Sequence, residues 1–106
     1  MYHVLIIDDE VIIANGIKSS VDWEKLHVSS VDVAFSMRQA KEKLNRLQAD
    51  VVICDIEMPQ GNGLELLTWI KENYPQTESV ILTCHADFRY AQKAVQLGSL
   101  GYLLSR

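Results

Sequence analysis

Three short apolar runs each stop at a residue equipped for chemistry. Val4-Leu5-Ile6-Ile7 runs into Asp8-Asp9-Glu10, Val51-Val52-Ile53-Cys54 ends at Asp55, and Val80-Ile81-Leu82 ends at Thr83. Continuous runs of this length, rich in β-branched residues and bounded by turn residues, describe buried strands. The stretches between them have helical period instead. Met37, Ala40, Leu44 and Leu47 fall at i, i+3, i+7 and i+10, an apolar stripe along one helix face. Strands of this kind alternating with such helices restrict the fold to a parallel sheet with helices on both faces.

Read in order, residues 3–8 form the first strand and 10–20 the first helix, with Ile13 and Ile17 at the i, i+4 spacing of an inward face. Residues 21–26 are less regular and add one further turn. Residues 28–35 alternate apolar and polar side chains, a second strand with one wetter face. Ser36 caps a second helix that runs to about Leu47. Residues 50–55 are the third strand, 59–63 a loop, and 64–73 a third helix stopped by Pro75. Residues 78–83 are the fourth strand. Asp87 caps a fourth helix to Leu97, Gly98 stops it, and 100–104 are a fifth strand.

The expected fold is therefore α/β: a flavodoxin-like, doubly wound sheet of parallel strands in the order 2-1-3-4-5, with right-handed crossovers. In that order the ligand crevice opens at the carboxyl ends of strands 1 and 3, where the winding reverses. Those strands end in Asp8-Asp9 and in Asp55. Residues 1–106 are expected to be one domain that stops before its fifth helix. The sheet face which that helix would cover is then open to self-association or to a partner segment.

A length of 106 residues suits a single domain with a real core. The net charge of -4 argues against direct nucleic-acid binding by this domain. No apolar stretch approaches the roughly 18 residues of a membrane span. The strand-like run that follows Tyr2-His3 ends in carboxylates and is not a signal peptide. Cys54 and Cys84 sit in or beside apolar runs without CxxC spacing, as expected of reduced thiols in the cytoplasm.

Three carboxylates brought together repel one another unless a cation compensates. A hard divalent ion such as Mg²⁺, which takes carboxylate oxygens, waters and phosphate oxygens, suits the set. Asp9 and Asp55 are the first choice as direct ligands, and Asp8 acts directly or through a water. A backbone carbonyl in the Ile56-Glu57 turn is a further ligand. A carboxylate in such a site can attack phosphorus and form an aspartyl phosphate. Thr83 stands where it could hydrogen-bond a phosphoryl oxygen.

Over nearly its whole length the sequence resembles the receiver domain of bacterial two-component response regulators. The resemblance rests on residues 4–10, on Asp55-Ile56-Glu57-Met58-Pro59 followed by Gly63-Leu64-Glu65-Leu66, and on Ile81-Leu82-Thr83. It continues through Asp87-Phe88-Arg89-Tyr90-Ala91, Leu97-Gly98 and Gly101-Tyr102-Leu103-Leu104. It implies that Asp55 accepts a phosphoryl group from a sensor histidine kinase, and that Asp8, Asp9 and the Glu57 backbone carbonyl hold Mg²⁺ with it. Thr83 and Tyr102 then match the hydroxyl and aromatic residues that rearrange on phosphorylation. Residues 21–26 further resemble receivers that precede AraC-type DNA-binding domains, which implies transcription control by a domain absent from 1–106. Such a domain is a switch and not an enzyme acting on outside substrates. Its output face would include Tyr90, Lys93, Ala94 and Tyr102, and homodimerisation is expected there or through the open sheet face.

The sequence departs from the family at Ser105-Arg106, where the family has Lys-Pro. That departure motivates a second expectation, a pseudo-receiver that binds partners without phosphorylation. An Asp-nucleophile phosphohydrolase is disfavoured, because Asp8 and Asp9 are adjacent rather than spaced Asp-x-Asp.

Overall fold

The computed structural model describes residues 2–55, 63–83 and 101–104. The expected fourth helix lies outside the described residues, as do Glu57, Cys84, Tyr90, Lys93, Ala94, Ser105 and Arg106.

The elements are β1 (Tyr2–Ile7), α1 (Val11–Ser20), a single 3-10 turn (Glu24–Leu26), β2 (Val28–Ala34), α2 (Met37–Arg46), β3 (Val51–Asp55), α3 (Gly63–Asn73), β4 (Glu78–Thr83) and β5 (Gly101–Leu104). All strand pairs are parallel and their order is β2-β1-β3-β4-β5, as the alternation of patterns predicts.

Strand alternation sends each apolar run to two cores at once. Leu5 and Ile7 of β1 join Val52 and Cys54 of β3 on one face, packed by Ala40 and Leu44 of α2 and Leu66, Leu67 and Ile70 of α3. Val4 and Ile6 point the other way and meet Ala14 of α1 and Val33 of β2. Each fully buried Leu or Ile contributes about 1.5–3 kcal/mol relative to exposure. The α1 face is thinner. Val51 and Ile53 are only half-buried there, whereas Val52 and Cys54 on the opposite face are fully buried.

Two helix stripes differ from their sequence patterns. In α1 the buried contact is Ala14, with Ile17 beside it; Ile13 is half-buried, and Ile12 is 87% exposed. A methyl side chain at the contact lets the helix lie close to the sheet, and the inward face turns by one residue. In α2, Met37, Ala40 and Leu44 pack inward, but Leu47 is 40% exposed. Leu47 has left the helix: its φ of -114° and ψ of 137° are extended, so helical spacing no longer aims it.

Side chains close several ends. Ser36 Oγ accepts from the Gln39 N–H at 3.1 Å, the N-cap read from the sequence. The Trp23 indole donates to the Lys18 carbonyl at 2.8 Å and satisfies an orphan group at the end of α1. Asp50 precedes β3 and ties three strands at their amino ends. Its carboxylate accepts from the His3 N–H at 2.8 Å, its own N–H donates to the His3 carbonyl, and its carbonyl accepts from Glu78 N–H.

Candidate functional site

The site follows from register. Ile7 pairs with Ala34 on one side and with Cys54 on the other. The Asp8 N–H still donates to the Ala34 carbonyl at 3.0 Å, so the backbone remains tied to the sheet at that residue. Beyond it the chain turns. Asp8 Oδ1 accepts from the Glu10 N–H at 2.9 Å, a local bond of the kind by which Asp starts turns. Glu10 is the N-cap of α1 and makes no side-chain cap itself. Asp55 ends β3 and pairs with Leu82 of β4.

Asp8 and Asp55 are buried, at 1% and 5% exposure, and Asp9 is half-buried. Each of the three offers a carboxylate oxygen within 4.8 Å of the others. Carboxylates are almost never fully buried without compensation. Burial raises the pKa of Asp8 above its ordinary 3.8, and the charges of Asp9 and Glu10 add to the rise. The Glu10 N–H and a hydrogen bond with the Asp55 carboxyl oppose it. The site thus holds negative charge against a real cost, and a cation among these oxygens would relieve it. An all-carboxylate donor set of this kind fits Mg²⁺.

Cys54 adjoins the site as a buried free thiol. Burial, followed by the charges of Asp55 and Asp8, pushes its thiol far up, and Sγ donates to the Asp55 carbonyl at 3.3 Å.

Thr83 is the last residue of β4, one beyond the Leu82 that pairs with Asp55. Tyr102 pairs with Ile81 on β5, and Thr83 pairs with Leu104. The backbone therefore brings Asp8, Asp55 and Thr83 to the carboxyl ends of three neighbouring strands and sets Tyr102 on the strand beyond. Glu57 lies outside the described residues.

A doubly wound parallel sheet with carboxylates gathered at its switch point defines a flavodoxin-like protein with an acidic pocket. The sequence profile described as the response regulator receiver domain matches residues 4–105, and the chain belongs to that family, whose general function is a phosphorylation switch. The transcriptional regulatory protein YesN of Bacillus subtilis is 36% identical over 104 residues, 98% of this chain and 28% of YesN. The chain spans well under half the length of the curated relatives it matches, 28% to 41% of them. Among solved structures, the REC domain of AraT from Geobacillus stearothermophilus has a TM-score of 0.90 and 36% identity, covering 98% of this chain and 81% of that one. TrrA of Thermotoga maritima, in complex with Mg²⁺ and BeF, has a TM-score of 0.83 and 25% identity, covering 100% of this chain and 88% of that one.

No helix among the described residues is long and apolar enough to cross a membrane.

Proposed function

We propose that residues 1–106 act as a receiver unit in which Asp55 accepts a phosphoryl group from a sensor histidine kinase. The observation that carries this reading is the gathering of Asp8, Asp9 and Asp55 within 4.8 Å at the switch point. In the transfer, an Asp55 carboxylate oxygen forms a bond to phosphorus as the bond to the donor's leaving atom breaks. The leaving atom is a ring nitrogen of the kinase histidine or a carboxylate oxygen of acetyl phosphate. Asp8, Asp9 and Asp55 would hold Mg²⁺ with the Glu57 backbone carbonyl. When bound, the ion neutralises charge on the phosphoryl oxygens. Asp8 positions its own carboxylate through the Glu10 N–H. Cys54, buried and held protonated, does not compete with Asp55 as a nucleophile.

Thr83 is proposed to hydrogen-bond the transferred phosphoryl group, and Tyr102 to rearrange with it as the switch aromatic. Adjacent strands β4 and β5 carry the two residues, which supports their coupling. The output is proposed to be transcription control through a further domain, because YesN is a transcriptional regulatory protein that extends well beyond the matched region. The protein would work in the cytoplasm. Homodimerisation would use the face of the fourth helix and β5 or the thinner α1 face of the sheet, where Val51 and Ile53 are only half-buried.

The test is the intact mass after incubation with Mg²⁺ and acetyl phosphate. One added phosphoryl group, absent from Asp55→Asn, is the expected result. An unmodified mass at every Mg²⁺ concentration would replace this reading with the pseudo-receiver, which the Ser105-Arg106 sequence favours.

A further inference from the structure

β2 is the first strand of the sheet, and among the described residues no strand lies on its outer side. Its backbone polarity is set by the pairing with β1. The Asp8 N–H donates to the Ala34 carbonyl, and Ile7 pairs with Ala34, so the N–H and C=O of Ala34 face β1. Alternation then turns the N–H and C=O of Val31 and Val33, and the N–H of Phe35, outward. An outward row of unpaired backbone groups is a template for strand addition.

Two side chains of α2 land on this row. Lys43 Nζ donates to the Val33 carbonyl at 2.5 Å, and Gln39 Oε1 accepts from the Phe35 N–H at 2.9 Å. Both targets are outward groups of odd-numbered residues, as the polarity argument requires. Lys43 is half-buried, whereas α2 offers its other Lys and Arg side chains no backbone carbonyl of β2. A lysine drawn out of water onto an edge carbonyl makes a charge-assisted bond and places a cation on the strand edge. An incoming strand would have to displace the bond and bury the charge.

We propose that Lys43, assisted by Gln39, guards the free edge of β2 against pairing with a second copy of this chain. Identical copies pair symmetrically, and an antiparallel pairing that overlaps the whole of β2 (Val28–Ala34) places its two-fold axis at the middle residue, Val31. Extending that ladder requires the Val33 carbonyl as an acceptor, and Lys43 already occupies it. Lys43 therefore caps the ladder at its central pair, which is too short to hold a dimer.

The experiment compares wild type with Lys43→Met, which keeps the apolar stem and removes the ammonium. Sedimentation equilibrium should show self-association tightened by roughly tenfold or more in Lys43→Met. Amide exchange at Val31 and Val33 should slow as its concentration rises. Adding Val31→Pro, which deletes an outward N–H that β1 does not use, should return association to the wild-type level. Lys43→Gln, shorter and uncharged, is read in the same way if the Met variant fails to fold. The proposal is overturned if a folded Lys43 variant associates no more tightly than wild type. It is equally overturned if the variant associates while exchange at Val31 and Val33 stays unchanged.

Discussion

Ile7 and Cys54 stand opposite each other on adjacent parallel strands, so the residues that follow them, Asp8 and Asp55, stand at the same level at the carboxyl ends of β1 and β3. Both side chains before the break are fully buried, which fixes the register against slippage. A one-residue slip would send Ile7 to the α1 face and separate the carboxylates. Asp9, next along, is half-buried and can change without opening the core. Asp9→Asn is therefore expected to fold normally and to need about tenfold more Mg²⁺ for half-maximal phosphorylation of Asp55. A titration of adduct against Mg²⁺ checks this, and EDTA present from the start should prevent the adduct from forming in both proteins. An unchanged Mg²⁺ midpoint would take Asp9 out of the metal site.

Asp8 ties pH to stability. Its pKa is raised, first by burial, so the folded protein binds that proton more tightly than the unfolded chain does. Relative to the protonated state, stability is present below the ordinary carboxylate value of 3.8 and is lost as pH rises through the raised pKa. At neutral pH without metal, Asp8 is therefore a destabilising residue. Asp8→Asn keeps an oxygen for the Glu10 N–H and removes the charge, so in EDTA it should melt above wild type at pH 7. The gap should close as the pH falls toward 4, and Mg²⁺ should raise the melting temperature of wild type more than that of the variant. Melting curves across pH, with and without Mg²⁺, measure both effects. A variant that melts below wild type at pH 7 in EDTA contradicts the argument.

The strands and the gathering of Asp8, Asp9 and Asp55 were legible because each depends on a local pattern. A buried run that ends in a carboxylate is visible without neighbours, and the alternation of runs with helical stripes makes the sheet parallel, for which the flavodoxin-like order is the common five-strand solution. The misses have another cause. Periodicity treats Ile13 and Ala14 by hydropathy, but the spacing between helix and sheet selects the smaller side chain, and that spacing exists only in three dimensions. Leu47 continues the stripe in sequence, and nothing in its own identity shows that the helix ends at Arg46. The Trp23 indole on Lys18 and the Lys43 ammonium on Val33 are bonds from a side chain to a backbone group elsewhere in the fold. The patterns of spacing and composition used to read helices and strands do not encode such bonds.

Gly16 lies in the interior of α1, is exposed, and a Cβ built there meets nothing within 4 Å. Glycine in a helix interior costs about 0.5–1 kcal/mol relative to alanine, mainly through the freedom of the unfolded chain. Gly16→Ala should therefore stabilise the protein by about that amount and raise the melting temperature by roughly 4–8 °C per kcal/mol in a domain of this size. Thermal denaturation checks it. Because the substitution is far in kind from the carboxylates, the extent of Asp55 phosphorylation should not change.

His27 is the one non-glycine residue with positive φ among the described residues, at φ 61° and ψ 30°. The conformation has a purpose. It ends the short 3-10 turn and lets the His27 N–H donate to the Glu24 carbonyl at 3.1 Å, while the His27 carbonyl accepts from the Tyr2 N–H at 2.9 Å. The chain thereby reverses into β2 beside β1. The left-handed region costs a residue with a Cβ about 1–2 kcal/mol, and β-branching worsens the clash. His27→Gly keeps both backbone bonds and removes the clash, so it should stabilise the protein by up to about 1 kcal/mol after the added freedom of the unfolded glycine is counted. His27→Val should destabilise it by about 1 kcal/mol or more. Urea denaturation of the pair distinguishes strain from side-chain contacts: opposite signs identify the backbone as the cause, and two losses of similar size would assign the stability to the imidazole.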